Sequence, residues 1–526
     1  MTEEPILETN KIQGNILPGF RMPHQAIFAC KIKNDSDLKT FLIYIQPKIT
    51  NMKEAIGYHN ERIALAKKTQ KFGTESFSLP NTKDLFWLNV AFGNQFISSI
   101  NTDVGALDLS YNIGLAARSF HLGDPKEQTS EGNKNNWIFG NEGNEADIFL
   151  IAASDSSITL EKETAKLTSV ISKYNIEILY FEKGERLEGE TEHFGFKDGI
   201  SQPEVRGYVN EDKEYITQRI ISSGNENLND PEFAAPGKML LWPGQFILGY
   251  PKQSASHFRN PIEPTEIEKS DFIKNGSFLV FRRLKQDVKT FNEETNKIYN
   301  ELISTAGFED ISYEDFLAKL VGRKKDGMPI GFQNTPVAHM NNFNFKANTG
   351  NYILSTGENV ASVPADPTGN KCPMFAHIRK VNPRDLPTDQ GAETNTATFR
   401  IMRRGIPFGK PYNFQNPNDI SNQDERGLLF LCYQRSIKNQ FELLTNKWMN
   451  KDSRPESLVG HDNIMGQNNE EDSGGIKWCT FNSGGQNKRL EFKTPFIIPT
   501  GGGYFFCPSL DALQSIINAI VATNTT

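Results

Sequence analysis

"ADIFLIAAS", residues 146–154, leads into "TLEKETAKLTSVISKY", residues 159–174, and that into "IEILYFEKG", residues 176–184. The outer two stretches are short and dense in Ile, Leu and Phe, as strands are. The middle one spaces its apolar residues three and four apart, as an amphipathic helix does. Working backwards, "DLFWLNVAFG" (84–93) with "NQFISSI" (94–100), and "HQAIFACKI" (24–32) with "DSDLKTFLIYIQPKI" (35–49), show the same two periods. Strand, helix, strand, then strand, helix, strand, is the order of a ferredoxin-like antiparallel sheet with helices on one face. The fold class is α+β.

Working forwards, a second series begins with "QFILGYP" (245–251) and "SFLVFRRL" (277–284), followed by the helical "QDVKTFNEETNKIYNELIS" (286–304). It continues through "ATFRIMRRG" (397–405), "GLLFLCYQRS" (427–436), the helical "NQFELLTNKWMN" (439–450) and "YFFCPSLDALQSIINAIVA" (504–522). The second half therefore reads as another ferredoxin-like unit with long insertions. Between the halves "NENLNDPEFAAPGK" (225–238) is polar and carries two prolines, which places a boundary there and gives domains 1–225 and 226–526. Residues 121–144 and 467–475, rich in Gly, Asn and Glu, read as surface loops.

The chain of 526 residues has 37% hydrophobic and 23% charged residues, the balance of a globular protein with a substantial core. A net charge of −7 argues against broad electrostatic binding of nucleic acid. The opening "MTEEPILETNKIQGNILPGF" has glutamates where an export signal has Lys or Arg, and no apolar run reaches the length of a membrane span. Cys30, Cys372, Cys432, Cys479 and Cys507 are odd in number, scattered and without a CxxC, which fits a reducing cytoplasm. No CxxCH is present, which excludes a c-type haem attachment, and GxGxxG, GxxxxGK[ST], HExxH and GxSxG are also missing.

Three stretches concentrate chemistry. In "HFGFKDGISQPEVRG" (193–207) Asp198 precedes Gly199; an Asp-Gly pair marks a turn, while the neighbouring Phe194, Phe196 and Ile200 suggest burial that perturbs a carboxylate. In "KCPMFAHIRKVNPRD" (371–385) His377 sits in apolar company, either as a hydrogen-bonded core residue or as a ligand. Arg379, Lys380 and Arg384 gather nearby, as they would around an anion. In "FRIMRRGIPFG" (399–409) Arg403 and Arg404 adjoin at the end of a strand, so one faces inward and needs an anionic partner, structural or bound.

In this order the three stretches resemble the dye-decolorising peroxidases, a haem family. The hallmark GxxDG is matched by Gly195-Phe196-Lys197-Asp198-Gly199, extended as "GFKDGISQP"; "AHIRKVNPR" (376–384) and "RRGIPFG" (403–409) resemble the proximal and distal segments. "IQGNILPGF" and "GLLFLCYQRSIKNQFELL" add to the likeness, which runs from about residue 12 to residue 508. The resemblance implies two ferredoxin-like domains with one non-covalent haem b, lying between sheet and helices mainly in the C-terminal domain. His377 would be the iron ligand, Asp198 and Arg403 the distal catalytic pair, and Arg384 a partner of a haem propionate. Gly199, Ile200, Leu428 and Phe430 would line the cofactor pocket, and Asp462 would accept the other N–H of the His377 ring. Two departures stand out. Asn463 occupies the place of a usual proline, and the polar insertion "DLPTDQGAETNTA" (385–397) lies between Arg384 and Arg403.

The activity implied is reduction of hydrogen peroxide and oxidation of organic, dye-like or phenolic donors through a ferryl intermediate. With Asp rather than His as distal base, activity would extend to acid pH, because a carboxylate near its reference value of about 4 stays ionised where a histidine near about 6.5 protonates. The implied partners are peroxide and an organic reductant, with no nucleic acid and no membrane; a homo-oligomer stays open. Two other readings remain: a haem-handling protein with incidental peroxidase activity, and a haem-free interaction module in which Asp198 is a turn and His377 is core.

Overall fold

The computed structural model describes residues 3–69, 85–217, 239–258, 260–331, 341–349, 352–353, 359–457, 459–469 and 475–520. The boundary expected within 225–238 lies outside this set. Among the described residues nine strands form one sheet: β1 His24–Ile32, β2 Trp87–Gly93, β3 Ile148–Ser154, β4 Ile176–Glu185, β5 Ser277–Gln286, β6 Met402–Arg403, β7 Ile406–Phe408, β8 Gly427–Gln434 and β9 Ile497–Cys507.

The first half has the order β4-β1-β3-β2, and the second repeats it as β9-β5-β8-β7, with β6 continuing β7 along β8. Both are the order of a ferredoxin-like sheet, as expected. What local periodicity does not reveal is that the two sheets share their edges. β2 pairs with β9, Phe92 opposite Phe506, and β4 with β7, Gly184 opposite Phe408. The result is a closed barrel in which open edges are paired rather than exposed. At the second seam a Cβ on Gly184 would lie 2.4 Å from Ile406 Cγ2, so the approach of the two halves there requires glycine.

Alternation by two sorts each strand between two cores. On β1, Ile27 and Ala29 turn into the barrel with Phe149, Ile151, Phe281 and Phe505. Ala26, Phe28 and Cys30 turn outward beneath the helices α1 Asp35–Ile45 and α2 Ser157–Lys173. Both faces are buried, which explains the near-continuous apolar runs. α2 begins where Ser156 Oγ accepts from the Thr159 N–H, and it buries Leu160, Leu167 and Ile171 at helical spacing.

In the second half the outer face changes character part-way along. Phe278 and Val280 of β5 pack against helices, but Arg282, Leu284 and Gln286, at the same spacing of two, line a cavity. Leu428 and Phe430 of β8 stand beside them, Leu428 opposite Leu284 and Phe430 opposite Arg282. The cavity thus lies between the outer face of the C-terminal sheet and a cover that includes the short helix His377–Val381 and two wide helical segments, Ile437–Phe441 and Leu443–Met449.

Two expectations need correction. "QFILGYP" is not a strand; Pro243–Gln245 form a tight helical turn, Gly249 has φ +85°, and the run is apolar because Phe246 and Ile247 pack against the barrel core. Residues 121–144 are irregular but are not simply a surface loop. Trp137 and Phe139 are buried, and Asp124 forms a buried ion pair with Arg282, whose Nη2 donates to both carboxylate oxygens at 2.9 Å, which folds the segment over one end of the cavity.

Candidate active site

The cavity measures about 280 Å³, well beyond the roughly 10–15 Å³ that admits a single water on the same measure. Its lining is mostly apolar, including Ile200, Leu284, Ile378, Leu428, Phe430 and Met465, with charged side chains at defined places.

His377 opens the short helix His377–Val381, and its Nδ1 lies 2.6 Å from Asp462 Oδ2. That contact leaves Nε2 as the ring nitrogen available to the cavity. Asp462 has no exposure, and its other oxygen accepts the N–H groups of Ile464 and Met465 at 3.1 and 3.0 Å. Burial would raise this carboxyl, but the neighbouring imidazole, those hydrogen bonds and the Lys477 charge hold it below the usual carboxylate value. Asn463, in the place of the usual proline, leaves the pair intact. Lys477 Nζ donates to the carbonyls of Asn463 and Gly466 at 2.9 and 3.0 Å and so braces the loop from behind.

Asp198 reaches the cavity from a loop between glycines at φ +90° (Gly195) and +75° (Gly199). The Asp-Gly pair is a turn, as its local chemistry suggests, and the carboxylate nonetheless faces the cavity. Arg403 Nη1 donates to Asp198 Oδ1 at 3.0 Å and Nη2 to the Ser201 carbonyl at 3.1 Å. Gln202 grips the backbone of Arg403 on both sides, its Oε1 accepting the N–H and its Nε2 donating to the C=O. Burial pushes the Asp198 carboxyl up, but the Arg403 charge and the Gly199 N–H outweigh it, and the group rests below its ordinary value.

Arg403 and Arg404 do point to opposite faces. Arg404, however, has no anionic partner among the described residues; Nε and Nη2 donate to the carbonyls of Asn15 and Ile16 and Nη1 to that of Arg403, which ties the distal strand to the N-terminal half. Of the cations near His377, Arg384 reaches the cavity, with Nη1 on the carbonyls of Asn341 and Phe343 and its guanidinium 3.6 Å from the Phe343 ring centroid. Arg379 and Lys380 do not gather around an anion there. Helical rotation sends them away from the cavity, Arg379 to the carbonyls of Asp366, Pro367 and Cys372, and Lys380 to those of Lys451, Arg454 and Gly460.

Sequence reasoning missed several charged residues of the lining: Asp124, Glu192, Arg282, Arg323 and Arg400. The spacing of two along "SFLVFRRL" holds a signal for Arg282, since a charge at a covered position of a strand wants a partner, whereas Arg400 follows the helical turn Ala397–Phe399 and has no such strand signal. Arg400 finds no hydrogen-bond acceptor for its guanidinium among the described residues, and burial draws it down to about 10. Among the same residues no three His, Cys, Asp or Glu side chains converge to hold a bare metal ion. One imidazole, an apolar slot and buried guanidinium groups suit instead a flat organic cofactor that brings its own metal and its own carboxylates.

The comparisons with known proteins agree. The sequence matches the DyP dimeric alpha+beta barrel domain over residues 11–186 and the C-terminal domain of Dyp-type peroxidases over residues 252–467. The chain belongs to the dye-decolorising peroxidase family, and with it to the peroxidases. It is 26% identical to dye-decolorizing peroxidase msp1 of Mycetinis scorodonius over 97% of this chain and 88% of that one. A solved F194Y mutant of the dye-decolorizing peroxidase from Pleurotus ostreatus superposes with a TM-score of 0.72 at 25% identity, covering 98% of this chain and all of the other. A dye-decolorizing peroxidase solved in complex with 2,6-dimethoxyphenol matches with a TM-score of 0.69 at 25% identity, over 97% of this chain and all of the other.

Proposed function

We propose that the protein is a haem b peroxidase that reduces hydrogen peroxide and oxidises organic, dye-like or phenolic donors. The observation that carries this reading is that an Asp462-bound His377 and an Arg403-bound Asp198 line one apolar cavity. The haem, when bound, supplies the iron that takes up peroxide and stores the oxidising equivalents passed on to the donor. His377 offers Nε2 to that iron, and Asp462 fixes the ring orientation and raises its basicity by accepting from Nδ1. Arg384 and Arg400 offer guanidinium groups to the acid substituents of the cofactor, and that of Arg400 has no hydrogen-bond acceptor among the described residues.

On the peroxide side the work is proton movement and charge stabilisation. Asp198, ionised and aimed into the cavity, takes a proton from one peroxide oxygen and returns it to the other, so that water leaves. Arg403 keeps Asp198 ionised and presents fixed N–H donors where negative charge develops. A domain division at 225/226, with the GxxDG motif on one side and His377 and Arg403 on the other, would make the cavity a site built by both halves. A cytoplasmic location is supported by five free, buried cysteines. Among the described residues no helix is long and apolar enough to cross a membrane.

Turnover of peroxide with 2,6-dimethoxyphenol by haem-loaded protein tests the reading. Sustained oxidation of the phenol that drops with Asp198→Asn supports it; tight haem binding without turnover would leave haem handling as the function instead.

A further inference from the structure

The cavity has a third carboxyl besides the paired Asp198 and Asp124. Glu192 lies on the same loop as Asp198, and its partners are all neutral donors. Oε2 accepts the Phe194 N–H at 2.8 Å and the side-chain amide of Gln286, and Oε1 accepts the Phe196 N–H at 2.9 Å. Those two backbone bonds fold the loop back on itself, helped by the Glu192 N–H donating to the Phe196 carbonyl and by the Phe194 ring stacked on Phe291 with centroids 4.3 Å apart. The conformation that delivers Asp198 is thus tied together from inside by Glu192.

Gln286, on β5, supplies a second observation. Its Nε2 meets Glu192, while its Oε1 is buried with no hydrogen-bond partner among the described residues. A side-chain amide presents a donor at one end and an acceptor at the other, and half a turn about its last torsion exchanges them. An ionised Glu192 needs the donor end. A protonated Glu192 needs an acceptor for its O–H, and the orphaned Oε1 of Gln286 is that acceptor. A buried acceptor without a partner is otherwise costly, by roughly 1–3 kcal/mol.

We propose that Glu192 is a second proton-exchanging carboxyl of the peroxide-side wall, a positioning residue that holds the Asp198 loop and stores a proton, with the Gln286 amide turning over to match its state. In the step itself one proton passes from cavity water to Glu192 Oε2, the new O–H donates to Gln286 Oε1, and release is the reverse; nothing is oxidised or reduced. The purpose given to this proton rests on the peroxidase reading, but the protonation itself does not.

The charges around Glu192 favour this division of labour. On its own loop Asp198 repels a second negative charge, Lys197 lies by Glu190, and the His193 ring is turned to the Phe408 carbonyl. From β5, Arg282 is taken by Asp124; from β6, Arg403 is taken by Asp198; at the head of the following helix, Asp287 caps Thr290. Arg323, elsewhere on the cavity wall, gives Nη1 to the Gly327 carbonyl, and His377 is held by Asp462. None of these cations is bonded to Glu192, and burial, which outweighs the three hydrogen bonds, lifts its carboxyl to about 7. Two carboxyls in one cavity are thereby driven apart, Asp198 kept as base and Glu192 as acid, the pattern by which environments assign such roles.

The test is infrared difference spectroscopy of the haem-loaded full chain, titrated from about pH 5 to about pH 9 in water and in D2O, around the reference range of carboxyls shifted by burial. The expected signal is a protonated-carboxyl C=O band that shifts in D2O and vanishes with a midpoint near 7. It should be missing in Glu192→Gln and kept in Asp198→Asn with a lower midpoint, because the repelling charge is gone. In Gln286→Leu, which removes the acceptor, the band should move to higher frequency. No titrating band, a band that survives Glu192→Gln, or a band unmoved by Gln286→Leu would overturn the proposal. Should Glu192→Gln fail to fold, the Gln286 and Asp198 variants read the same band. A chain that shows the band but no peroxidase turnover would sink the functional reading and leave this one standing.

Discussion

Two of the carboxylates that serve the cavity, Asp462 and Asp198, are held in opposite ways. Asp462 is fully enclosed and receives two backbone N–H groups, while its loop is pinned by Lys477 from behind. Asp198 rides a loop turned by two left-handed glycines, with one cation to hold it and a face open to the cavity. Enclosure suits a charge that must stay fixed so that it can orient an imidazole. An open face suits a charge that must meet a substrate proton. The two regions show that a carboxylate is committed by what surrounds it, because both carboxyls are held low while only one has a face open to exchange.

Substitutions can break that contrast, and the largest effect belongs to the imidazole that Asp462 serves. His377→Ala removes the ring nitrogen offered to the cavity, and haem retained after gel filtration, read by absorbance, should fall to near background. Next come the peroxide-side residues. Asp198→Asn should lower kcat/KM for peroxide by roughly 10²–10⁴-fold, the range for a lost general base. Arg403→Leu should cost roughly 10²–10³-fold, the range for a lost charge-stabilising donor. Because the two residues act as one unit, the double variant should lose far less than the product, a non-additivity that steady-state kinetics can measure. On the enclosed side Asp462→Asn should leave the fold in place and reduce activity or haem affinity by roughly 10–100-fold. The smallest effect is expected for Lys477→Met, which leaves the Asn463 and Gly466 carbonyls unpaired and should cost about 1–3 kcal/mol in thermal or denaturant unfolding.

Much of this was legible before any coordinates. The strand and helix periods gave both ferredoxin-like units, since alternation and helical spacing are local properties. Asp198, His377, Arg403 and Asp462 were legible only through the resemblance to the family. Taken singly, Asp198 reads as a turn, His377 as a core histidine and Arg403 as half of a structural ion pair, and Asp462 carries no local signal. Barrel closure was not legible. It depends on edges such as Phe92 with Phe506, brought together from distant parts of the chain, where no local pattern says which edge meets which. The expectation of an anionic partner holds for Arg403, which meets Asp198, but not for Arg404 on the opposite face, which is satisfied by carbonyls. Glu192 stood one residue before a motif already singled out. Its sequence context, an exposed-looking "EGETEH", concealed that the loop folds it inward.

The contrast between the two carboxylates is tested most directly by the rate at which peroxide is consumed in a rapid-mixing experiment on the haem-loaded protein. It would be followed by haem absorbance and repeated from about pH 3 to about pH 7, the span between carboxylate and imidazole reference values. Since Asp198 is held below its ordinary value, the base role proposed for it would persist above that point and fail only as the pH falls through it. The account predicts a rate that persists well below pH 5 in the wild type and is lower by roughly 10²-fold or more in Asp198→Asn throughout. A wild-type rate that collapses below about pH 6, as a histidine base would give, or an Asp198→Asn rate equal to the wild type, would contradict it.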